Sequence, residues 1–169
     1  MPIYAPGAPP FKNLPTIQVS VPPGTNMPLS GGAGEVPFTV QDFSNTANIY
    51  TFNPTAGNYY VQVNQAGTYL VIIEGSVVDV FGGSPSTYIQ FILDLLYVHQ
   101  SAELVAILPG VTVPTVTSLL NNSVSVCGIA ILQLNAGDPI FADYVLGESA
   151  GSNDTNEYNY AKLIVIKIG

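Results

Sequence analysis

A chain of 169 residues, 47% of them hydrophobic, is long enough for one domain with a real core and too short for two comfortable ones. Only 8% of residues are charged, and three lysines (Lys12, Lys162 and Lys167) stand against eleven acidic residues, giving a net charge of -8. A surface that neutralises phosphates needs clustered basic side chains, so this composition argues against nucleic-acid binding and against electrostatic docking on anionic lipid.

So little charge beside so many apolar residues is unusual, because a lone small domain normally covers itself with Lys, Glu, Asp and Arg. Either Asn, Ser, Thr, Gln and Gly make the surface, or much of it is buried against other chains. Oligomerisation is the economical inference. The opening MPIYAPGAPPF has no basic region followed by an apolar core, so no secretory signal is predicted. The most apolar window, Ile89 to Val98, is short and interrupted by Asp94, so no membrane span is predicted.

Residues 1–34 hold eight of the fourteen prolines. Proline lacks an amide hydrogen and glycine weakens strands, which predicts an extended arm rather than a sheet core. Within it Thr16 to Val21 alternates and is expected as one edge strand. Ile3, Tyr4, Phe11, Leu14 and Ile17 make the arm adhesive, so it is expected to lie on a neighbouring subunit.

Val36 to Val40 and Ile49 to Phe52 read as short strands around a polar loop at 42–48. In Gly57 to Val80 two apolar runs flank Asn64-Gln65-Ala66-Gly67. Their period of two and their β-branched and aromatic residues predict strand, turn, strand. Thr87 to His99 is apolar on both faces, with Phe91 and Leu93 on one and Ile92 and Leu96 on the other. A half-buried antiparallel strand keeps one wet face, so the second face is expected against another subunit. Strands follow at Glu103 to Leu108, Val111 to Leu120, Val124 to Leu134, Ile140 to Leu146 and Tyr160 to Ile168, with a polar loop at 147–159. About ten short strands predict an all-β antiparallel sandwich at 35–169 behind the arm at 1–34.

Two stretches carry a family resemblance. Gly57-x-Tyr59-Tyr60-x-x-Val63-x-x-x-Gly67-x-Tyr69 and Gly128-x-x-x-Leu132-x-Leu134-x-x-Gly137-Asp138-x-Ile140-Phe141 resemble the strand and turn units of the complement globular head and tumour necrosis factor superfamily. Tyr160 to Ile164 falls where that family's closing strand lies. The resemblance covers roughly residues 45 to 169. It implies a ten-stranded jelly roll packed as a tight homotrimer, with Tyr59, Val61, Tyr69, Phe91, Ile92, Leu93, Leu96, Leu132, Leu134 and Phe141 as core or trimer-interface residues. Nothing before the domain keeps a collagen-like Gly-X-Y period, which disfavours a stalked secreted recognition protein.

Catalytic groupings are scarce. With one histidine, His99 at a strand end, and no arginine, hydrolase chemistry has little to draw on. Cys127, the only cysteine, rules out an intrachain disulfide and a cysteine-based zinc site, and its apolar run predicts a small buried thiol. Asp138, Asp143, Glu148, Asp154 and Glu157 match no twelve-residue calcium loop and read as solvated loop charges, with Asp138 capping its turn; the family resemblance keeps a calcium site near a trimer axis as the alternative. Most tyrosines fall at core positions; Tyr158 and Tyr160 are the candidates for exposed contact. No catalytic, cofactor or metal residue is assigned.

The expectation is a non-enzymatic, cofactor-free homotrimer that decorates or cements a viral, phage-like capsid. Its partners would be itself and a major capsid or shell protein, with no nucleic acid and no membrane, and its place the virion surface. The alternative is a trimeric recognition module, a spore-coat, fibre-tip or secreted head, that binds a glycan or protein receptor through loops 82–86 and 147–159, with the spore or cell surface as its place.

Overall fold

The computed structural model describes residues 14–26, 33–46, 48–80, 89–98, 105–109, 123–148 and 155–169, with 33, 78–80, 89–98, 105–109, 123–124, 145–148 and 155–157 described at the level of the backbone. Its described elements are all strands: β1 Thr16–Val21, β2 Thr25–Asn26, β3 Ala33–Glu35, β4 Val40–Ser44, β5 Tyr50–Thr55, β6 Asn58–Val63, β7 Gly67–Val80, β8 Ile89–Val98, β9 Val105–Pro109, β10 Ser123–Leu134, β11 Pro139–Glu148 and β12 Thr155–Lys167. Ten of these make two five-stranded antiparallel sheets. Sheet A runs β10-β7-β12-β1-β4 and sheet B runs β5-β6-β11-β8-β9, while the short β2 and β3 pair with β12 and β11. From β4 onward every connection crosses between sheets except the hairpins β5–β6 and β8–β9. This is the expected ten-stranded jelly-roll sandwich.

The core follows the pleat, since alternate side chains face alternate sides of a strand. Ile17, Val19 and Val21 of β1, Tyr69, Val71 and Ile73 of β7, and Leu163 and Val165 of β12 face Val61, Val63, Ile140, Ala142 and Tyr144 of sheet B in one buried cluster. Two edge-to-face tyrosine pairs bridge its ends, Tyr50 with Tyr69 at 6.2 Å and Tyr144 with Tyr158 at 6.0 Å between centroids.

Several expectations need correction. Thr16 to Val21 is no edge strand: β1 pairs with β12 on one side and β4 on the other. Ile17 therefore belongs to this chain's own core, not to an arm contacting a neighbour, and β1 is an inner strand of sheet A. Alternation outweighed proline content here, because Pro15 and Pro22 bracket the strand without interrupting its ladder. The strand expected at Val36 to Val40 starts only at Val40 and runs to Ser44, into the first residues of the expected loop. Val36 and Phe38 are buried all the same. The expected loop at 147–159 is partly strand, since β11 runs to Glu148 and β12 starts at Thr155. The run at 111–120, loop 82–86, His99 and the arm residues Ile3, Tyr4 and Phe11 lie outside the described residues.

The two motif stretches also behave differently from simple hairpins. β6 and β7 follow one another in sequence but sit in opposite sheets, and so do β10 and β11. Their two glycine turns meet at one end of the sandwich. Gly137 N–H donates to the Val63 carbonyl (2.7 Å), Val63 N–H donates to the Asp138 carbonyl (3.0 Å), and Gln62 Nε2 donates to the Gly137 carbonyl (2.9 Å).

Candidate functional site

Two surfaces stand out. The first is the outer face of sheet A. Register places Ile129, Ile72, Ile164 and Gln18 in one row and Ile131, Leu70, Ile166 and Thr16 in the next. By parity these six aliphatic side chains lie in a continuous band on the side of the sheet away from the core, with Ile166 buried within it and Leu70, Ile72 and Ile164 half-buried. Ile129 and Ile131 are 69% and 68% exposed, the highest values among the described large hydrophobics. The opposite edge of the same face carries Phe43 and Val40 of β4, also exposed. Phe43 continues the first of these rows past Gln18, and Val40 ends a neighbouring polar row, Cys127, Glu74, Lys162 and Ser20, in which Lys162 Nζ and a Glu74 oxygen pair at 3.5 Å. Ser20 Oγ and Gln18 Nε2 both donate to the Asp42 carboxylate, which ties β4 to β1 on this face.

An apolar band of this kind is what a sheet presents when another sheet packs on it, because neighbouring isoleucines offer area and no hydrogen bonds. Full burial of one such side chain contributes about 1.5–3 kcal/mol.

The second surface is a cleft of ≈ 400 Å³ on the outer face of sheet B, lined by Glu35, Gly57, Asn58, Tyr60, Gln62, Gly137, Pro139, Phe141 and Asp143. It opens where the sheet splits. β11 pairs with β6 at Pro139 and Ile140 and then with β3 at Asp143 to Val145, so β6 diverges and the Tyr59 amide loses its ladder partner. The Glu35 carboxylate takes that place by accepting the Tyr59 N–H (2.5 Å). Glu35 and Asp143 are directly opposite across β3 and β11. Partial burial raises the Glu35 pKa and the Asp143 charge adds to the rise, while the bond from Tyr59 opposes it. Among the described residues, no group of three or more His, Cys, Asp and Glu is placed to hold a metal ion.

No protein-family model matches this sequence, and no curated protein matches it. Among solved structures, the globular domain of zebrafish complement 1qA protein aligns with a TM-score of 0.55 at 17% identity, over 92% of this chain and 98% of that one. Murine APRIL aligns with a TM-score of 0.54 at 12% identity, over 92% of this chain and 100% of that one. The fold is the complement globular head and tumour necrosis factor jelly roll. At such identities the likeness concerns fold.

Within this complement-head and tumour-necrosis-factor jelly roll the expected residues separate. Val61, Tyr69, Leu132 and Leu134 are core. Tyr59 is half-buried at the splitting point of sheet B, and Phe141 lines the outer cleft rather than the core. Leu14 is half-buried, its carbonyl accepting bonds from Asn45 Nδ2 and Thr16 Oγ1. For Phe91, Ile92, Leu93 and Leu96 the backbone lies in β8, an inner strand of sheet B, and their side chains lie outside the described residues. Cys127 is exposed, not the buried thiol expected, because it falls on the outward parity of β10. Tyr158 is a correction in the opposite sense: 1% exposed, it is among the largest buried side chains. Tyr160 is half-buried, with Lys162 Nζ 5.7 Å from its ring centroid. Asp143 sits on a strand and not in a loop, whereas Asp138 does cap its turn through Asn135 N–H (2.7 Å).

The aliphatic band itself went unread. Its signal was present, since Gly67 to Ile73, Val126 to Leu134 and Leu163 to Ile168 are apolar at both parities. That is the criterion applied to 87–98.

Proposed function

We propose that this jelly roll is a non-enzymatic structural protein that assembles as a homotrimer through the outer face of sheet A and decorates or cements a viral capsid. The observation that carries the self-association is the exposure of Ile129 and Ile131 at 69% and 68%, in register with four further aliphatic residues. A closed ring with three-fold symmetry joins two different surfaces of each copy. The two edges of this face supply such a pair, β10 with Ile129 and Ile131, and β4 with Val40 and Phe43.

The structural, non-catalytic part rests on composition, with one histidine, no arginine and very little charge. The shell-binding part rests on residues 1–13, where Ile3, Tyr4 and Phe11 alternate with prolines ahead of β1. A segment of this kind lies along a partner surface without needing a strand ladder, and three copies per trimer engage the shell together and gain avidity.

Sedimentation of the intact chain tests assembly, and a stable monomer at micromolar concentration defeats the trimer. Mass spectrometry of purified particles tests location. Deletion of residues 1–13 spares β1 and tests the arm, which has no role in cementing if the truncated trimer still decorates shells with full affinity.

A further inference from the structure

The sheet B cleft is built from hydrogen-bond acceptors and aromatic rings, on the layer opposite the proposed subunit contact. Glu35 and Asp143 sit directly across from one another on paired strands, and Tyr60 and Phe141 line the same ≈ 400 Å³ space. The pleat explains the grouping. Val61, Ile140 and Ala142 belong to the core, so Tyr60, Phe141 and Asp143 fall on the outward parity that forms the cleft.

Hydrogen-bonding capacity narrows what can enter. The Glu35 carboxylate uses Oε1 to accept the Tyr59 N–H, which fixes its orientation and leaves Oε2 as an acceptor. Gln62 uses Nε2 to donate to the Gly137 carbonyl, which leaves its amide oxygen as another. Ionised carboxylates accept and do not donate. The walls therefore offer an excess of acceptors, two of them charged, beside ring faces. A neutral sugar brings acceptors of its own, whereas an ammonium is a pure donor with three hydrogens. A guanidinium fork needs both oxygens of one carboxylate, and Glu35 has one left. The rings add to the preference, because an alkyl stem packs on them and a cation is attracted to their faces. The chain uses that contact elsewhere, with Lys162 Nζ 5.7 Å from the Tyr160 ring centroid.

The described cations of the chain are engaged away from this site. Lys162 pairs with Glu74, and Lys167 Nζ donates to Gln65 Oε1 at 3.0 Å, both from β12 of sheet A. Lys12 lies outside the described residues, and the chain has no arginine.

We propose that the cleft binds a primary alkylammonium group of another molecule, with the ammonium on the Glu35 and Asp143 carboxylates and its alkyl stem against Tyr60 and Phe141. This is the chemistry of a lysine side chain on a partner protein or of a free aliphatic diamine. The site is complete within one chain, so it does not rest on the trimer or the capsid reading.

Amide NMR of the intact, nitrogen-15-labelled protein tests this by titration. The probes are Nα-acetyl-lysine methylamide, its Nε-acetylated form, cadaverine, methyl α-glucoside and calcium chloride. The Tyr59 amide, bonded to Glu35, is the local reporter. The lysine probe is expected to shift it with a saturating midpoint. The Nε-acetylated probe, which keeps the stem and loses the charge, is expected to leave it unmoved. The E35Q/D143N double variant is expected to weaken binding about tenfold or more, and Phe141→Ala about two- to fivefold. Unchanged sheet A amides, such as that of Ile131, show that both variants keep the fold. A tighter midpoint for the lysine probe than for cadaverine assigns the site to a partner protein's side chain, and the reverse order to a free diamine. The proposal is overturned if neither amine shifts the Tyr59 amide, whether or not the glucoside or calcium does. It is overturned equally if the two lysine probes bind alike, if the double variant binds unchanged, or if the shifts spread evenly to amides around Asp42 and Glu74.

Discussion

Val63 and Gly137 hold the two crossover turns of the sandwich together. The Gly137 amide donates to the Val63 carbonyl at 2.7 Å, and the Val63 amide donates to the carbonyl of Asp138 at 3.0 Å. Gly137 adopts a φ of +99°, which places its amide there and which side chains with a Cβ avoid. Gly137→Ala meets no steric obstacle, its nearest neighbour being Gln62 Nε2 at 3.7 Å, so the cost is conformational and about 1 kcal/mol. Urea denaturation measures it.

Gly67→Ala is expected to cost more. A Cβ at Gly67 overlaps the Gly169 carbonyl oxygen and comes within 2.8 Å of Lys167 Cε. Thr68 N–H donates to that same Gly169 carbonyl at 2.8 Å, so the C-terminus must move and lose the bond. A denaturation midpoint for Gly67→Ala at or above that of Gly137→Ala contradicts this account.

The Tyr50 hydroxyl joins three parts of the chain. It donates to the Pro15 carbonyl at 2.7 Å and accepts the Lys167 N–H at 3.0 Å. Tyr50→Phe removes both interactions inside a largely buried pocket, with an expected loss of about 1–3 kcal/mol. Thermal unfolding reads the loss. Tyr60→Phe, on the open wall of the cleft, is expected to change stability by less than about 0.5 kcal/mol.

On the outer face of sheet A, Ile129→Asp places a charge in the proposed subunit contact but on an exposed site of the isolated fold. Sedimentation is expected to shift from trimer to monomer while far-ultraviolet circular dichroism stays unchanged. Phe43→Ala weakens the other side of the same contact, and its effect combined with Ile129→Ala is expected to be non-additive, by about 0.5 kcal/mol or more. Additive losses place the two residues in separate interfaces.

Glu35 gives a pH signature. Burial, and then the Asp143 charge, raise its pKa in the folded protein, so the native state binds this proton more tightly than the unfolded chain. The group's contribution is most favourable below the unfolded carboxylate range and is lost as pH rises through the raised value. Glu35→Gln is therefore expected to gain stability relative to the parent near neutral pH, with the gain shrinking in acid. Asp143→Asn removes one cause and lowers the Glu35 titration midpoint, which carbon-13 NMR of the labelled carboxyl follows directly.

Alternation and turn chemistry made most of this architecture legible. Val61, Val63 and Tyr69 follow a period of two and are core, and Gly67 and Gly137-Asp138 mark turns that the structure contains. Such signals are local, because a pleat and a positive φ constrain only nearby residues. Which strands pair is not local. β6 and β7 are separated by a few residues yet lie in opposite sheets, and β1 gains its two partners from residues 40–44 and 161–166. The sequence by itself therefore determined an all-β sandwich, the absence of a basic surface and a surplus of apolar side chains. Tertiary structure alone decided where the surplus lies. Ile129, Ile72 and Ile164 are distant in sequence and adjacent in register, and Glu35 meets Asp143 only because β6 diverges from β11 and leaves the Tyr59 amide for a carboxylate to satisfy.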